Sequence, residues 1–185
     1  GGQGAWSHFI RNIEALAQNR TVIAVDLPGH GDSAMPADPP EHESMSAALA
    51  LGLERIAGAG VAVDLVGFSF GASALAHMAA WYPHLARRLI VIGAGGLNTP
   101  HGHIDIGPVR GLEGAEREAR LRANLLGLML HHPESVDNLA LHLLTANGRK
   151  ARLTVPQLVV PDRLLRVLPQ VACPVDAIWG EHDRP

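Results

Sequence analysis

Ser69 stands between two glycines in the stretch Val66-Gly67-Phe68-Ser69-Phe70-Gly71-Ala72-Ser73. A serine hydroxyl attacks a carbonyl carbon only when a base takes its proton and donors hold the oxyanion that forms. Glycines two positions either side of such a serine have a reason if the chain turns sharply there. The flanking positions then approach each other and accept only small residues, a condition that Gly67 and Gly71 meet. A plain strand-to-helix turn that happens to contain serine would give the same five letters. Context has to separate the two.

That context is a strand followed by a helix. Residues 61–66 (VAVDLV) form an apolar, β-branched run, and residues 72–82 (ASALAHMAAWY) predict a helix stopped at Pro83. A serine at the apex of such a turn takes a strained backbone conformation and presents its hydroxyl at the open edge of the sheet. The helix behind it aims unpaired N–H groups and its positive end at the reacting centre.

Further elements must carry this turn. Residues 21–25 (TVIAV) predict a strand ended by Asp26-Leu27-Pro28-Gly29, and residues 44–58 predict a helix with small polar residues at its start and glycine at its end. Residues 89–92 predict a third strand, opening into the loop GAGGLNTP. Apolar strands alternating with helices indicate an α/β fold, a mostly parallel sheet with helices on both faces. From about residue 112 the pattern is helical only, over 112–130, 134–147 and 161–168, before 175–179 returns to strand. A helical block between two parallel strands reads as a cap or lid over their C-terminal edge, with an elaborated crossover as the alternative. The expected division is a core over 1–98, a cap over 99–170 and a return to the core over 171–185.

Composition narrows the partners. The chain has 185 residues, 47% of them apolar, enough for one domain with a real core. Charged residues make up 18% and the net charge is −3, with no basic block longer than Arg149-Lys150-Ala151-Arg152. Nucleic acid and acidic membrane surfaces are therefore poor partners. Cys173 is the single cysteine, which excludes an internal disulfide; flanked by Val171-Ala172 and Pro174-Val175, it reads as a buried, inert thiol at a strand entrance. A reducing, cytoplasmic setting fits it. No charged segment followed by an apolar one opens the chain, and no apolar run reaches about 18 residues. Gly1-Gly2-Gln3-Gly4 reads as the middle of a loop, and Asp183-Arg184-Pro185 lies just past a strand, so a piece of a longer chain is expected.

Four stretches occur in an informative order: GGQGAW at 1–6, DLPGHGDS at 26–33, GFSFGA at 67–72 and IWGEHDRP at 178–185. Together they resemble the serine-nucleophile, capped branch of the α/β-hydrolase superfamily over essentially the whole chain, although the first loop lacks the leading histidine of the usual pattern. The resemblance implies that Ser69 attacks and that the N–H groups of Phe70 and Gly2 form the oxyanion hole, with Gln3 as second choice in the first loop. It also implies that Asp183 orients the catalytic histidine, with Glu181 as the weaker alternative. The family order is serine, acid, histidine. None of the 11 histidines stands at the matching position. The base is expected about 20 to 30 residues past Pro185, in a Gly-x-His-like loop after a further strand, and further strands are expected before Gly1.

The histidines present have plainer readings. His30 belongs to the Gly29-His30-Gly31 turn, and His77 and His84 read as packing or surface. His101, His103 and Asp105 make only a weak metal pattern. His131, His132 and His142 fall in the cap, where they either line a pocket or lie at the surface, and His182 neighbours the acid.

Serine at the apex, in place of aspartate, disfavours the dehalogenase and epoxide-hydrolase branches. The resemblance implies a hydrolase of a carboxylic ester or related carbonyl compound, and the run LLGLML at 125–130 in the cap suggests a mostly hydrophobic substrate of modest size, although core packing explains that run equally well. Alternatives are a carbon–carbon bond hydrolase for ring-cleavage products, an acyltransferase on the same scaffold, or a catalytically incomplete binding protein. No cofactor and no metal are implied. The expected partner is a small-molecule substrate, with neither nucleic acid nor membrane, and a homo-oligomer stays open.

Overall fold

The computed structural model describes residues 4–36, 41–100, 106–153 and 158–183. Strands β1 (Val63–Phe68), β2 (Ala86–Ile92) and β3 (Val175–Ile178) lie side by side in that order, all parallel. Leu65 pairs with Leu89 and Leu89 with Val175, while Gly67 pairs with Val91 and Val91 with Ala177. Side chains alternate between the faces of a sheet, so Leu65, Leu89 and Val91 share one face, and all three are buried.

Helix α3 (Phe70–Trp81) covers that face with Ala72, Ala76, Met78 and Ala79. Its alanines let the helix axis sit close to the strands. Ala50 of helix α2 (His42–Ala57) joins the same core, as do Leu164 and Val167 of helix α6 (Arg163–Val167). On the opposite face Val66 and Ile178 are 42% and 51% exposed. Among the described residues, neither β1 nor β3 has a second strand beside it.

The helix boundaries have local causes. Glu41 and Ser44 form a reciprocal capping box at the start of α2, and Gly58, at φ 102, ends it. The Asp137 side chain accepts from the Ala140 N–H at the start of helix α5 (Asn138–Lys150), whose last turn carries Arg149 and Lys150 against the negative end of the dipole. Helix α4 (Gly114–Leu128) precedes it and packs on it. Among the described residues no helix is long and apolar enough to cross a membrane.

Two expectations need correction, and one helix lies where no element was expected. Residues 21–25 do not form a strand. A β-branched run becomes a strand only when a neighbour completes its ladder, and none among the described residues does so. A helix was not anticipated in the first segment, where a short 3-10 turn (Trp6–Phe9) runs into α1 (Ile10–Ala17). Ile10, Ile13 and Ala17 do show helical spacing, but none of these residues is buried. Cys173 is half-buried at the margin of the main core and not enclosed in it.

Candidate active site

Ser69 closes β1 and opens α3, and its backbone sits at φ 53, ψ −122. Among the described residues only Asn98 shares a positive φ without being glycine. Such a conformation costs on the order of 1–3 kcal/mol and persists only where neighbours over-determine it. Here the Ser69 N–H donates to the Ile92 carbonyl at 2.9 Å, and the Ser69 carbonyl accepts from the Ala72 N–H at 2.9 Å. The turn is thus bonded to the end of β2 on one side and to the first turn of α3 on the other.

Gly67 is required by close approach. A Cβ there would lie 2.5 Å from Ala72 Cα and 2.6 Å from its nitrogen. Gly71 is different: among the described residues, a Cβ there would meet nothing within 4 Å apart from its chain neighbours and the backbone of its own helix. The two positions do approach each other, since a Cβ on Gly67 would also stand 2.7 Å from the Gly71 carbonyl oxygen, but among the described residues the close contact demands a small residue at Gly67 and not at Gly71.

Phe70 is the first residue of α3, where an N–H has no intrahelical partner. Its ring packs against the cluster of Met45, Ala74, Leu153 and Leu158. Gly2 and Gln3, the first-loop donors expected from the sequence, lie outside the described residues.

Asp183 lies near the same end of the sheet. Gly93 follows β2 directly, and its N–H donates to the Ile178 carbonyl at 2.9 Å. A Cβ on Gly93 would stand 3.2 Å from the Phe68 ring and 3.8 Å from Asp183 Oδ2. Ile92 and Gly93 therefore bridge the ends of β1 and β3, with Ser69 on one side and Asp183 on the other. The Asp183 carboxylate accepts from the Gly180 N–H at 2.9 Å, and its own N–H donates to the Gly180 carbonyl at 3.0 Å. Asp183 and Glu181 are both exposed.

Asp26 organises the loops beside this edge. Its carboxylate accepts from the Trp6 N–H at 2.7 Å and from the Asp32 N–H at 3.0 Å, and its carbonyl accepts from the Ser33 hydroxyl at 2.7 Å. It thereby joins the first loop to the 26–33 loop. The signal available in the sequence was an acidic residue closing an apolar run just before a glycine-rich turn.

The histidines divide sharply. His30 is buried, its Nδ1 donating to the Pro28 carbonyl at 3.2 Å, which suits its reading as part of a turn. His84 is exposed, 3.8 Å from Glu54. His42, which the sequence did not single out, and His77 are each only 4% exposed. His42 Nε2 lies 3.3 Å from Ser73 Oγ, His77 Nδ1 donates to the Ser73 carbonyl at 2.7 Å, and the two rings are 4.0 Å apart. Burial, with the nearby His77 and Arg163, pushes His42 down to about 3; burial also lowers His77. His42 is therefore neutral at pH 7.

His131 stacks on His182 with ring centroids 3.7 Å apart. His101, His103 and Asp105 lie outside the described residues. No group of three or more histidine, cysteine, aspartate or glutamate side chains able to hold a metal is found among the described residues. None of the described histidines is hydrogen-bonded to Ser69.

The helical block leans on these loops. The Arg152 N–H donates to the Gly29 carbonyl at 2.8 Å, and its guanidinium reaches the Ser33 carbonyl. Lys150 pairs with Asp32 at 2.6 Å, and Arg11 pairs with Asp137. The Ser7 hydroxyl donates to Asn147 at 3.1 Å. Between α4 and α5 runs an open groove of about 420 Å³, lined by Arg117, Glu118, Leu121, Asn138 and His142 among others, and including neither Ser69 nor Asp183.

A profile described as the alpha/beta hydrolase family matches residues 1–185. The 2-hydroxymuconate semialdehyde hydrolase of Pseudomonas sp. (strain CF600) is 34% identical over 99 residues, 54% of this chain and 35% of that protein. The match thus spans about a third of that curated relative. Among solved structures, a meta-cleavage product hydrolase from Pseudomonas fluorescens IP01 superposes with a TM-score of 0.74 at 19% identity, covering 99% of this chain and 70% of that one. An N-acyl homoserine lactonase complexed with N-hexanoyl homoserine gives a TM-score of 0.71 at 21% identity, covering 100% of this chain and 69% of that one. These likenesses show the same fold.

Proposed function

The chain belongs to the α/β hydrolase family, and from that premise we propose that it carries the nucleophile and acid of a serine hydrolase acting on a small, mostly apolar carboxylic ester or related carbonyl compound. The observation that carries this reading is Ser69 itself, held at φ 53 between a strand and a helix with its N–H bonded to Ile92. Few purposes other than presenting a hydroxyl justify that strain in a serine.

In this reading Ser69 Oγ adds to the carbonyl carbon and its proton passes to an imidazole. The oxyanion takes hydrogen bonds from the N–H groups of Phe70 and Gly2. Collapse of the tetrahedral intermediate expels the leaving group, protonated by the same imidazole, and leaves an acyl-enzyme that water hydrolyses. Asp183 orients the imidazole, which the order serine, acid, histidine places after Asp183 in the chain. Loss of one oxyanion donor costs on the order of 100- to 1,000-fold in rate.

The helical block serves as the cap in this reading, supported by its attachment to the 26–33 loop through Arg152 and Lys150 and by the His131–His182 stack. Leu125 in the run LLGLML is buried and Leu128 exposed, so that run is shared between packing and surface. The working partner is a small molecule, in the cytoplasm, without cofactor, nucleic acid or membrane.

A second reading is cleavage of a carbon–carbon bond in a ring-cleavage product. The fold likeness to a meta-cleavage product hydrolase and the identity to a 2-hydroxymuconate semialdehyde hydrolase support it. Both readings run through Ser69. Stoichiometric release of p-nitrophenol from p-nitrophenyl acetate, abolished by Ser69→Ala, is the expected result. In a protein that continues through the histidine expected after Asp183, absence of labelling at Ser69 by a fluorophosphonate would overturn the nucleophile assignment. Turnover of an ester against a ring-cleavage product then separates the two substrates.

A further inference from the structure

Helix α3 could meet α2 with an apolar surface alone, yet a buried histidine stands at the contact. His42 is the first residue of α2, anchored by the capping box in which the Glu41 N–H donates to Ser44 Oγ at 3.1 Å. It faces α3 at three places. Its Nε2 lies 3.3 Å from Ser73 Oγ, its ring lies 4.0 Å from that of His77, and the Phe70 ring is 6.2 Å away. Phe70, Ser73 and His77 fall at i, i+3 and i+7, one stripe of a helix. That stripe begins one residue after Ser69.

The stripe is closed from both sides. His77 donates its Nδ1 proton to the Ser73 carbonyl at 2.7 Å, which fixes the ring orientation, and Trp81 meets His77 edge-on at 5.1 Å. Ser73 therefore has its hydroxyl held by α2 and its carbonyl held by α3's own next turn. His42 Nδ1 is buried without a hydrogen-bond partner among the described residues. An apolar residue of the same size would avoid that cost. The contact to Ser73 is what the imidazole supplies beyond packing.

We propose that His42 is a positioning residue for Ser69: through Ser73 and Phe70 it locks the first two turns of α3 in the register that the strained turn at Ser69 requires. The inference rests on the reading of Ser69 as nucleophile. If α3 slides or rotates, the Phe70 N–H leaves the oxyanion position and the Ser69 hydroxyl leaves its line of attack. Errors of about 1 Å in such groups cost on the order of 100-fold.

The test uses the protein extended through the histidine expected after Asp183, and four variants of it: His42→Phe, which keeps a planar ring, slightly larger, and loses the hydrogen bond; His42→Gln, which keeps a polar group at similar reach; Ser73→Ala, which removes the other partner with little change in packing; and Leu85→Ala, a core control remote from this contact. Three quantities are read: the second-order rate of Ser69 labelling by a fluorophosphonate, hydrogen exchange over residues 67–76, and the melting temperature. Expected are labelling slowed by about 10- to 100-fold in His42→Phe, a smaller loss in Ser73→Ala, substantial rescue in His42→Gln, and faster exchange over 67–76 wherever labelling slows. Leu85→Ala should lower the melting temperature while leaving the labelling rate near that of the parent chain. If His42→Phe does not fold, Ser73→Ala and His42→Gln carry the same comparison. Labelling or exchange in the His42 and Ser73 variants that tracks only the melting temperature, as in Leu85→Ala, would overturn the proposal. A parent chain that is not labelled at Ser69 at all overturns the nucleophile reading and this inference with it. A parent chain that labels, with variants that label equally fast, overturns this inference alone.

Discussion

The Ser69 N–H donates to the Ile92 carbonyl at 2.9 Å, one step beyond the Phe68–Ile92 pair that ends the β1–β2 ladder. The bond carries the sheet's pairing into the turn itself. The strained residue is therefore fastened to the core and not hung from a mobile loop.

Gly67→Ala and Gly71→Ala should behave oppositely. A methyl group on Gly67 runs into the backbone of Ala72, so the turn must shift, at a cost of about 1–3 kcal/mol. Gly71 lies inside α3, where among the described residues a Cβ would meet nothing outside its own helix, and alanine there should be neutral or stabilising by about 0.5–1 kcal/mol. Urea unfolding of the two variants checks this, and equal destabilisation would refute the difference in packing.

Ser69→Gly should stabilise the fold by about 1 kcal/mol while abolishing fluorophosphonate labelling. Glycine occupies φ 53 without the clash that a Cβ makes, so the strain disappears together with the hydroxyl. Ser69→Ala should lose labelling without that gain. A melting temperature that rises in the glycine variant alone is the sign to look for.

Removal of the Asp26 carboxylate should loosen two loops at once. Asp26→Ala leaves the N–H groups of Trp6 and Asp32 without their acceptor and should cost about 1–2 kcal/mol. Because Trp6 continues the first loop, hydrogen exchange should also speed up over residues 4–8. Unchanged exchange there would mean that the loop is held by other contacts.

Acid should weaken the fold through the buried histidines. His42 has a folded value of about 3 against an ordinary 6.5, so below pH 6.5 the unfolded chain takes up a proton that the folded chain refuses. Stability is then intact above pH 6.5 and falls as pH drops towards about 3, by up to about 1.4 kcal/mol per pH unit for this group. His77, lowered by burial, adds in the same direction; Arg163 opposes and Glu43 favours its charge. Urea midpoints at pH 7.5, 6 and 5 should decline, and less steeply in His42→Phe. A flat profile would place both imidazoles in contact with solvent.

Much of the framework was legible before any coordinates. The run 61–66 became β1 at Val63–Phe68, the helix expected over 72–82 became α3 at Phe70–Trp81, and the strand expected at 175–179 became β3 at Val175–Ile178. Each is a local property, since apolar runs, alternation and helical spacing are set by residues within a few positions of one another. The strand-serine-helix junction was legible for the same reason, because a sharp turn leaves its mark in the glycine at 67.

The remainder depends on neighbours distant in the chain. Residues 21–25 have the composition of a strand but no ladder partner among the described residues, so composition misled. Asp26 meets Trp6 across 20 residues and His42 meets Ser73 across 31, separations over which no periodicity speaks. Gly67 and Gly71 are equivalent letters in the motif, yet only the folded backbone brings Ala72 against one of them. Local sequence sets which elements form and where the serine sits between them. Which groups brace that serine is set by packing, because a hydrogen bond across the fold exists only once both elements are in place.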